Sequence, residues 1–158
     1  MNDTRTGDIR HALGEHDFFA AMDPRHLDTL AEMSKWSDHA ASSWLACAGD
    51  APDSFHAVVS GRVGIEITAS GRAPLVVATV HAGDVVGWSW FIGRQPWQFD
   101  VVALDDVRSI AIDVNGVLDA CDRSDDLRHE ITTRLLRVVA DRLRGARLQL
   151  VDLYGHDR

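Results

Sequence analysis

Residues 83–103, GDVVGWSWFIGRQPWQFDVVA, hold the groups with the clearest chemical potential in this chain. Gly87 leads into a bulky segment from Trp88 to Ile92, and Gly93-Arg94-Gln95-Pro96 makes a polar break before Val101-Val102. Gly and Pro punctuate both breaks, so a strand, a one-turn helix and a second strand are expected. A helical turn entered from a glycine presents free backbone N–H groups, which suit an anion. Around it stand Trp88, Trp90, Phe91, Trp97 and Phe99, with Ser89, Arg94 and Gln98 as the polar members. Such rings have two uses: they fill a pocket, or they line one for an apolar or aromatic ligand whose anionic end meets the N–H groups near Ser89. Asp100 is expected to pair with Arg94 or Arg62, or to cap the short helix.

Other chemistry finds little support. Eight histidines (His11, His16, His26, His39, His56, His81, His129 and His156) are scattered, and only His11 and His16 sit close together, so no metal site is expected. His56 and His81 fall on or beside strands and read as solvent-facing. Ser60, His56 and Asp84 make a Ser-His-Asp set on paper, but no nucleophile elbow or oxyanion loop accompanies them, and an enzyme is not expected. Cys47 and Cys121 lie far apart and read as reduced thiols. The formal net charge of −8 opposes the cationic neutralisation on which nucleic-acid binding rests. No apolar run approaches membrane-spanning length, and the N-terminus lacks a signal-peptide core, so a cytoplasmic domain is expected.

The elements that must position these residues follow from pattern. Residues 1–12 read as a polar, flexible arm, and residues 13–158 as one domain. Asp23-Pro24 is an N-cap with proline at the first helical position, and Leu27, Leu30, Ala31 and Met33 recur at helical spacing up to Trp36. Strands follow from residue 39 to 80: Trp44–Cys47, Phe55–Val59, then Val63, Ile65 and Ile67 in alternation, then Leu75–Val80. Val101–Leu104 and Val107–Ile112 are two more, and Asn115–Ala120 is a short helix. Ser124-Asp125-Asp126 caps a long final helix over about 124–154. Leu136, Val139, Leu143, Ala146, Leu150 and Leu153 repeat along it in steps of three and four, a heptad seam, while Ile131, Leu135 and Val138 form a second face. Two apolar faces predict two partners, the chain's own barrel and a second copy of the chain.

The run CAGDAPDSFHAVVSGRVGIEI, with Gly83, Asp84 and Gly87, resembles the cyclic nucleotide-binding domain of catabolite-activator-like regulators. The match is residue for residue at Gly49, Asp50, Asp53, Phe55, Val58, Ser60, Gly61 and Val63. The resemblance implies a mainly β fold, a jelly-roll barrel with flanking helices and a long C-terminal dimer helix. It also implies that residues 87–99 are the phosphate-binding cassette. In that family a Glu after the second glycine holds the ribose hydroxyl, and an Arg with a neighbouring Ser or Thr grips the cyclic phosphate. The matching positions here are Trp88, Trp97 and Gln98, and Phe99 replaces a small residue. A degenerate cassette is therefore expected, with cyclic-nucleotide binding weakened on the order of 100-fold or more and no cofactor. A helix-turn-helix reader is expected to be absent, because the chain stops soon after Tyr154.

The expected function is a non-catalytic regulatory or scaffold module that has lost ordinary cyclic AMP or GMP binding and acts through a protein partner. The alternative is a small-molecule sensor that signals through its dimer helix. Candidate pocket residues are Gly87, Trp88, Ser89, Trp90, Arg94, Trp97, Gln98 and Phe99. Neither direct DNA binding nor a membrane role is expected.

Overall fold

In the computed structural model, residues 2–155 are described. Helix α1 (Asn2–Glu15) is followed by a 3₁₀ turn (Asp17–Phe19) and α2 (Pro24–Glu32). Strands β1 (Ser34–His39), β2 (Trp44–Ala46), β3 (Ser54–Ser60), β4 (Val63–Ile67), β5 (Leu75–Val80) and β6 (Val85–Val86) come next. A second 3₁₀ turn (Ser89–Phe91), β7 (Asp100–Ala103), β8 (Val107–Asp113), α3 (Val114–Arg123) and α4 (Asp125–Gly155) follow.

The expectation of a mainly β, closed jelly-roll barrel is corrected. Among the described residues the strands form two separate four-stranded antiparallel sheets, ordered β1-β8-β3-β6 and β2-β7-β4-β5, beside four α-helices. The fold is a mixed helix-and-sheet one. Alternating apolar residues specify which face of a strand is buried, not whether the last strand bonds to the first. Here the edges have little to offer for closure. β2 and β6 span only three and two residues, β1 is the polar run SKWSDH, and edge strand β5 leaves Leu75 and Val76 exposed.

Two buried layers result. Phe55 and Ala57 of β3 and Ile110 and Ile112 of β8 pack on the helices, against Leu13, Phe19, Leu30, Val117, Leu127 and Ile131. The opposite face looks between the sheets, where Val58 and Val107 meet Val63, Ile65, Val101 and Ala103. Strand β1 lies where α2 was expected to continue to Trp36. Its residues pair with β8 in register Ser34↔Ile112 to His39↔Val107, and the Arg108 guanidinium lies 4.3 Å over the Trp36 ring. Residues 2–12, read above as an arm, lie within α1, where Ile9 and Leu13 are buried.

The punctuation residues act as their chemistry dictates. The Asp23 carboxylate accepts from Arg25 N (2.9 Å) with Pro24 in the first turn of α2, and Ser124 Oγ accepts from Leu127 N (3.2 Å) at the start of α4. Gly61 has φ +85°, and a Cβ there would strike the Asp106 carbonyl. His16 ends α1: its Nδ1 accepts from Phe18 N (3.2 Å), so Nε2 carries the proton and donates to Val58 O (2.9 Å). Burial pushes its pKa down, consistent with a neutral ring that ties the helices to β3. Among the described residues, no helix is long and apolar enough to cross a membrane.

Helix α4 buries Leu127, Ile131 and Leu135 against the core, with Val138 partly covered. Further along, Leu136, Leu143, Leu150 and Leu153 are each more than half exposed.

Candidate functional site

The cassette span is held from both ends. Val85 and Val86 pair with β3 in register Ala57↔Val85 and His56↔Val86, and the chain then bends at Gly87, φ +87°. A Cβ on Gly87 would collide with the outer edge of the Trp97 indole, so only glycine lets that ring come so close to the backbone. The Gly49-Asp50 turn fixes the other end: Gly49 N donates to Trp97 O (2.7 Å) and Trp97 N donates to Asp50 O (3.0 Å). The Asp50 carboxylate in turn accepts from Cys47 N (3.0 Å), which locks the turn. Asp100 does not pair with Arg94 or Arg62, nor does it cap the short helix. Its Oδ1 accepts from Ala48 N (2.8 Å), bracing the same turn, while Arg62 Nε pairs with Asp105 (2.8 Å).

Between this span, the β4–β5 side of the second sheet and the C-terminal half of α4 lies a cavity of about 510 Å³. Six of the eight candidate pocket residues line it: Gly87, Trp88, Ser89, Trp97, Gln98 and Phe99. The other two lie elsewhere. Trp90 is fully buried in the helix-side layer, stacked on Phe55 (centroids 5.1 Å apart, planes at 26°) and edge-on to Phe91 (5.3 Å). Arg94 is exposed at φ +54°, its N–H donating to Trp90 O (2.9 Å) at the end of the 3₁₀ turn. The remaining walls come from places the span itself does not reveal. Ile65, Val77 and Ala78 belong to the second sheet, and Arg142, Ala146, Gln149, Leu150 and Leu153 to α4. Three of these α4 residues, Ala146, Leu150 and Leu153, also belong to the heptad seam.

The walls are mostly apolar and aromatic. Ser89, Gln98 and Gln149 contribute neutral polar groups, and Arg142 contributes a charge. Trp97 is half-buried and packs with the inter-sheet layer, so it narrows the cavity without filling it. A space of this size falls in the range that holds small ligands, about 300–1,000 Å³.

The histidines fall into different settings. His56, expected to face solvent, is buried: it shares a face of β3 with Val58 and points between the sheets. Its Nδ1 lies 3.1 Å from Ser109 Oγ, and the His39 ring stands edge-on at 5.8 Å. Burial pushes its pKa down to about 4, with lesser contributions from His39 and Lys35. His56 pairs with Ser109 rather than with Ser60 or Asp84, so the hydrolase-like set does not assemble. His26 Nδ1 sits 2.5 Å from Glu130, which Arg134 also grips, joining α2 to α4. Burial raises the Glu130 pKa, but hydrogen bonds from His26, Arg134 and the Asp23 backbone outweigh it and hold the group below its ordinary value. His11 and His81 are exposed, and His156 lies outside the described residues. Among the described residues, no group of three or more His, Cys, Asp or Glu is arranged to hold a metal ion.

A sequence model of the cyclic nucleotide-binding domain matches residues 38–124, more than half of the chain. Solved structures of low identity share the fold. A cyclic nucleotide-binding domain from Methylobacillus flagellatus superposes with TM-score 0.77 at 17% identity, covering 95% of this chain and 84% of that one. The sensor domain of the transcriptional regulator DNR from Pseudomonas aeruginosa gives 0.71 at 14% identity, covering 88% and 93%. The N-terminal domain of a transcriptional regulator from Streptomyces coelicolor gives 0.62 at 24% identity, covering 88% and 94%. No curated protein matches the chain.

Proposed function

Because this chain belongs to the cyclic nucleotide-binding domain family, we propose that it is a regulatory module whose cassette has exchanged cyclic nucleotides for a small apolar or aromatic ligand. The observation that carries this reading is the cavity of about 510 Å³ at the cassette, walled by Trp88, Trp97 and Phe99. At the positions where the family places its ribose-binding Glu and phosphate-binding Arg stand Trp88 and Trp97, and Gln98 follows. A tryptophan offers one N–H donor and no charge, so a cyclic phosphate seated at those two positions meets no ionic partner; the one charge in the cavity wall, Arg142, stands on α4 instead. The same rings favour a flat apolar body.

The scaffold reading, in which the rings close the pocket, is the less favoured because only Trp90 is fully buried among the tryptophans of the span. Signal output runs through α4. Its residues Ala146, Leu150 and Leu153 belong both to the cavity wall and to the heptad seam, so a ligand biases how α4 meets a second copy of the chain. The module thus acts as a homodimer that passes its state to a protein partner.

Calorimetric titration tests this reading. Cyclic AMP and cyclic GMP should give no saturable heat at micromolar concentrations, whereas a neutral aromatic probe such as N-phenyl-1-naphthylamine should bind with one site per chain. Sub-micromolar binding of either nucleotide, or no saturable site for the neutral probe, overturns it.

A further inference from the structure

The cavity carries one full charge, and it comes from the helix that covers the cassette. Arg142 lies on the α4 wall in line with Ala146 and Gln149. Its Nη2 donates to Val85 O, which uses one of the five N–H donors of a guanidinium. Burial pushes its pKa down, opposed only by the field of Asp84. Among the described residues it joins no ion pair, in contrast to Arg62 and Arg134, each of which grips a carboxylate. The guanidinium is half-buried, and no carboxylate stands among the residues that line this cavity. Asp84 and Asp141 share the adjoining groove with it, but neither pairs with it, and Asp141 pairs with Arg144 instead, so the cavity side of the charge is left to be offset by a ligand.

These facts point to a ligand that supplies the anion itself. Resting on the open-cavity reading above, we infer that Arg142 is the anion-binding residue of this site and that the ligand is an aromatic monoanion, of the aryl carboxylate class. The free edge of the guanidinium matches a carboxylate as a two-bond fork, and the rings of Trp88, Trp97 and Phe99 take the flat body. The charge approaches from the helical wall and not from position 97, so it meets an anion on the α4 side of the rings and leaves a phosphate seated at positions 88 and 97 without a partner. The net charge of −8 repels anions from the surface generally, which makes a preference for an anionic probe a property of the cavity.

Two fluorescent probes share one aromatic skeleton and differ by a sulfonate: N-phenyl-1-naphthylamine and 8-anilinonaphthalene-1-sulfonate. Each is titrated against the native chain, Arg142→Gln and Arg142→Lys. The native chain should favour the sulfonate probe by about tenfold or more in Kd. Arg142→Gln should abolish that preference and leave the neutral probe's Kd unchanged, and Arg142→Lys should keep part of it. Binding of the neutral probe reports that a variant's cavity is intact. Should Arg142→Gln not fold, the native pair of titrations still decides. Equal affinities for the two probes in the native chain, or a sulfonate preference that survives in Arg142→Gln, overturns the role of Arg142 and leaves the cavity standing. If the neutral probe finds no site in the native chain, the open-cavity reading fails and this inference fails with it.

Discussion

Trp90 and Trp97 stand seven positions apart in one segment, yet they belong to regions of opposite character. Trp90 goes into the helix-side layer, stacked on Phe55 and closed off from water. Trp97 lies across Gly87 at the edge of a cavity that the second sheet and α4 leave open. One side of the molecule is dense because four helices supply complementary rings and branched chains. The other keeps a cavity where α4 passes over the cassette, with Arg142, Ala146, Gln149, Leu150 and Leu153 as its helical wall. An aromatic-rich segment is therefore not one object: part of it anchors the fold and part of it shapes a space.

The contrast can be broken most directly at Trp90. Trp90→Ala should cost about 3–5 kcal/mol in urea denaturation, the range for truncating a fully buried aromatic. A loss below about 1 kcal/mol would erase the distinction between the two layers. The region between the sheets is probed by acid. His56 has a folded pKa of about 4 against 6.5 unfolded, so the unfolded state binds the extra proton between those values. Stability is fully present above pH 6.5 and should fall by about 3 kcal/mol as pH drops toward 4. His16 and His39, whose pKa values burial also lowers, act in the same direction. His56→Gln should flatten much of that slope in denaturant midpoints measured from pH 7.5 to 5, and an unchanged slope would place the acid sensitivity elsewhere.

Trp97→Ala comes next in size. A half-buried ring at a cavity edge should cost only about 1–2 kcal/mol and should change which aromatic probes bind. A loss equal to that of Trp90→Ala would mean that the ring closes the site. The smallest effect on folding belongs to the exposed seam. Leu143→Glu should shift the stability of the single chain by no more than about 0.5 kcal/mol, yet convert a dimer to a monomer in light scattering. A native chain that is already monomeric at every accessible concentration would remove the dimer from the proposal.

Much of this was legible in the sequence because it is local. The Gly49-Asp50 and Ser60-Gly61 turns, the Asp23-Pro24 start of α2, the Ser124 cap of α4 and the alternation of β4 each depend on neighbours a few residues away. What escaped depends on distant partners. Strand β1 has the polar run SKWSDH and becomes a strand by pairing with β8. His56 looks ordinary until both sides of β3 are covered. Closure of the barrel could not be judged from strand patterns, since edges pair or stay open according to geometry between strands. Spacing did not distinguish Trp90, which turns into the core, from Trp88, which lines the cavity. Arg142 carried no signal at all, because the cassette and α4 meet only in the fold.

The pairing of β1 with β8 has a consequence for how the chain is made. Residues 34–39 leave the ribosome long before 107–113, so the sheet that organises the helix-side layer cannot form until most of the chain has emerged. Until then, Leu13, Phe19 and Leu30 wait with their apolar faces uncovered by α3 and α4. Formation of the central sheet is thus a late event, gated by closure of a long loop, which slows folding relative to a helical protein of equal length. A nascent chain paused before β8 is the form that most needs a chaperone.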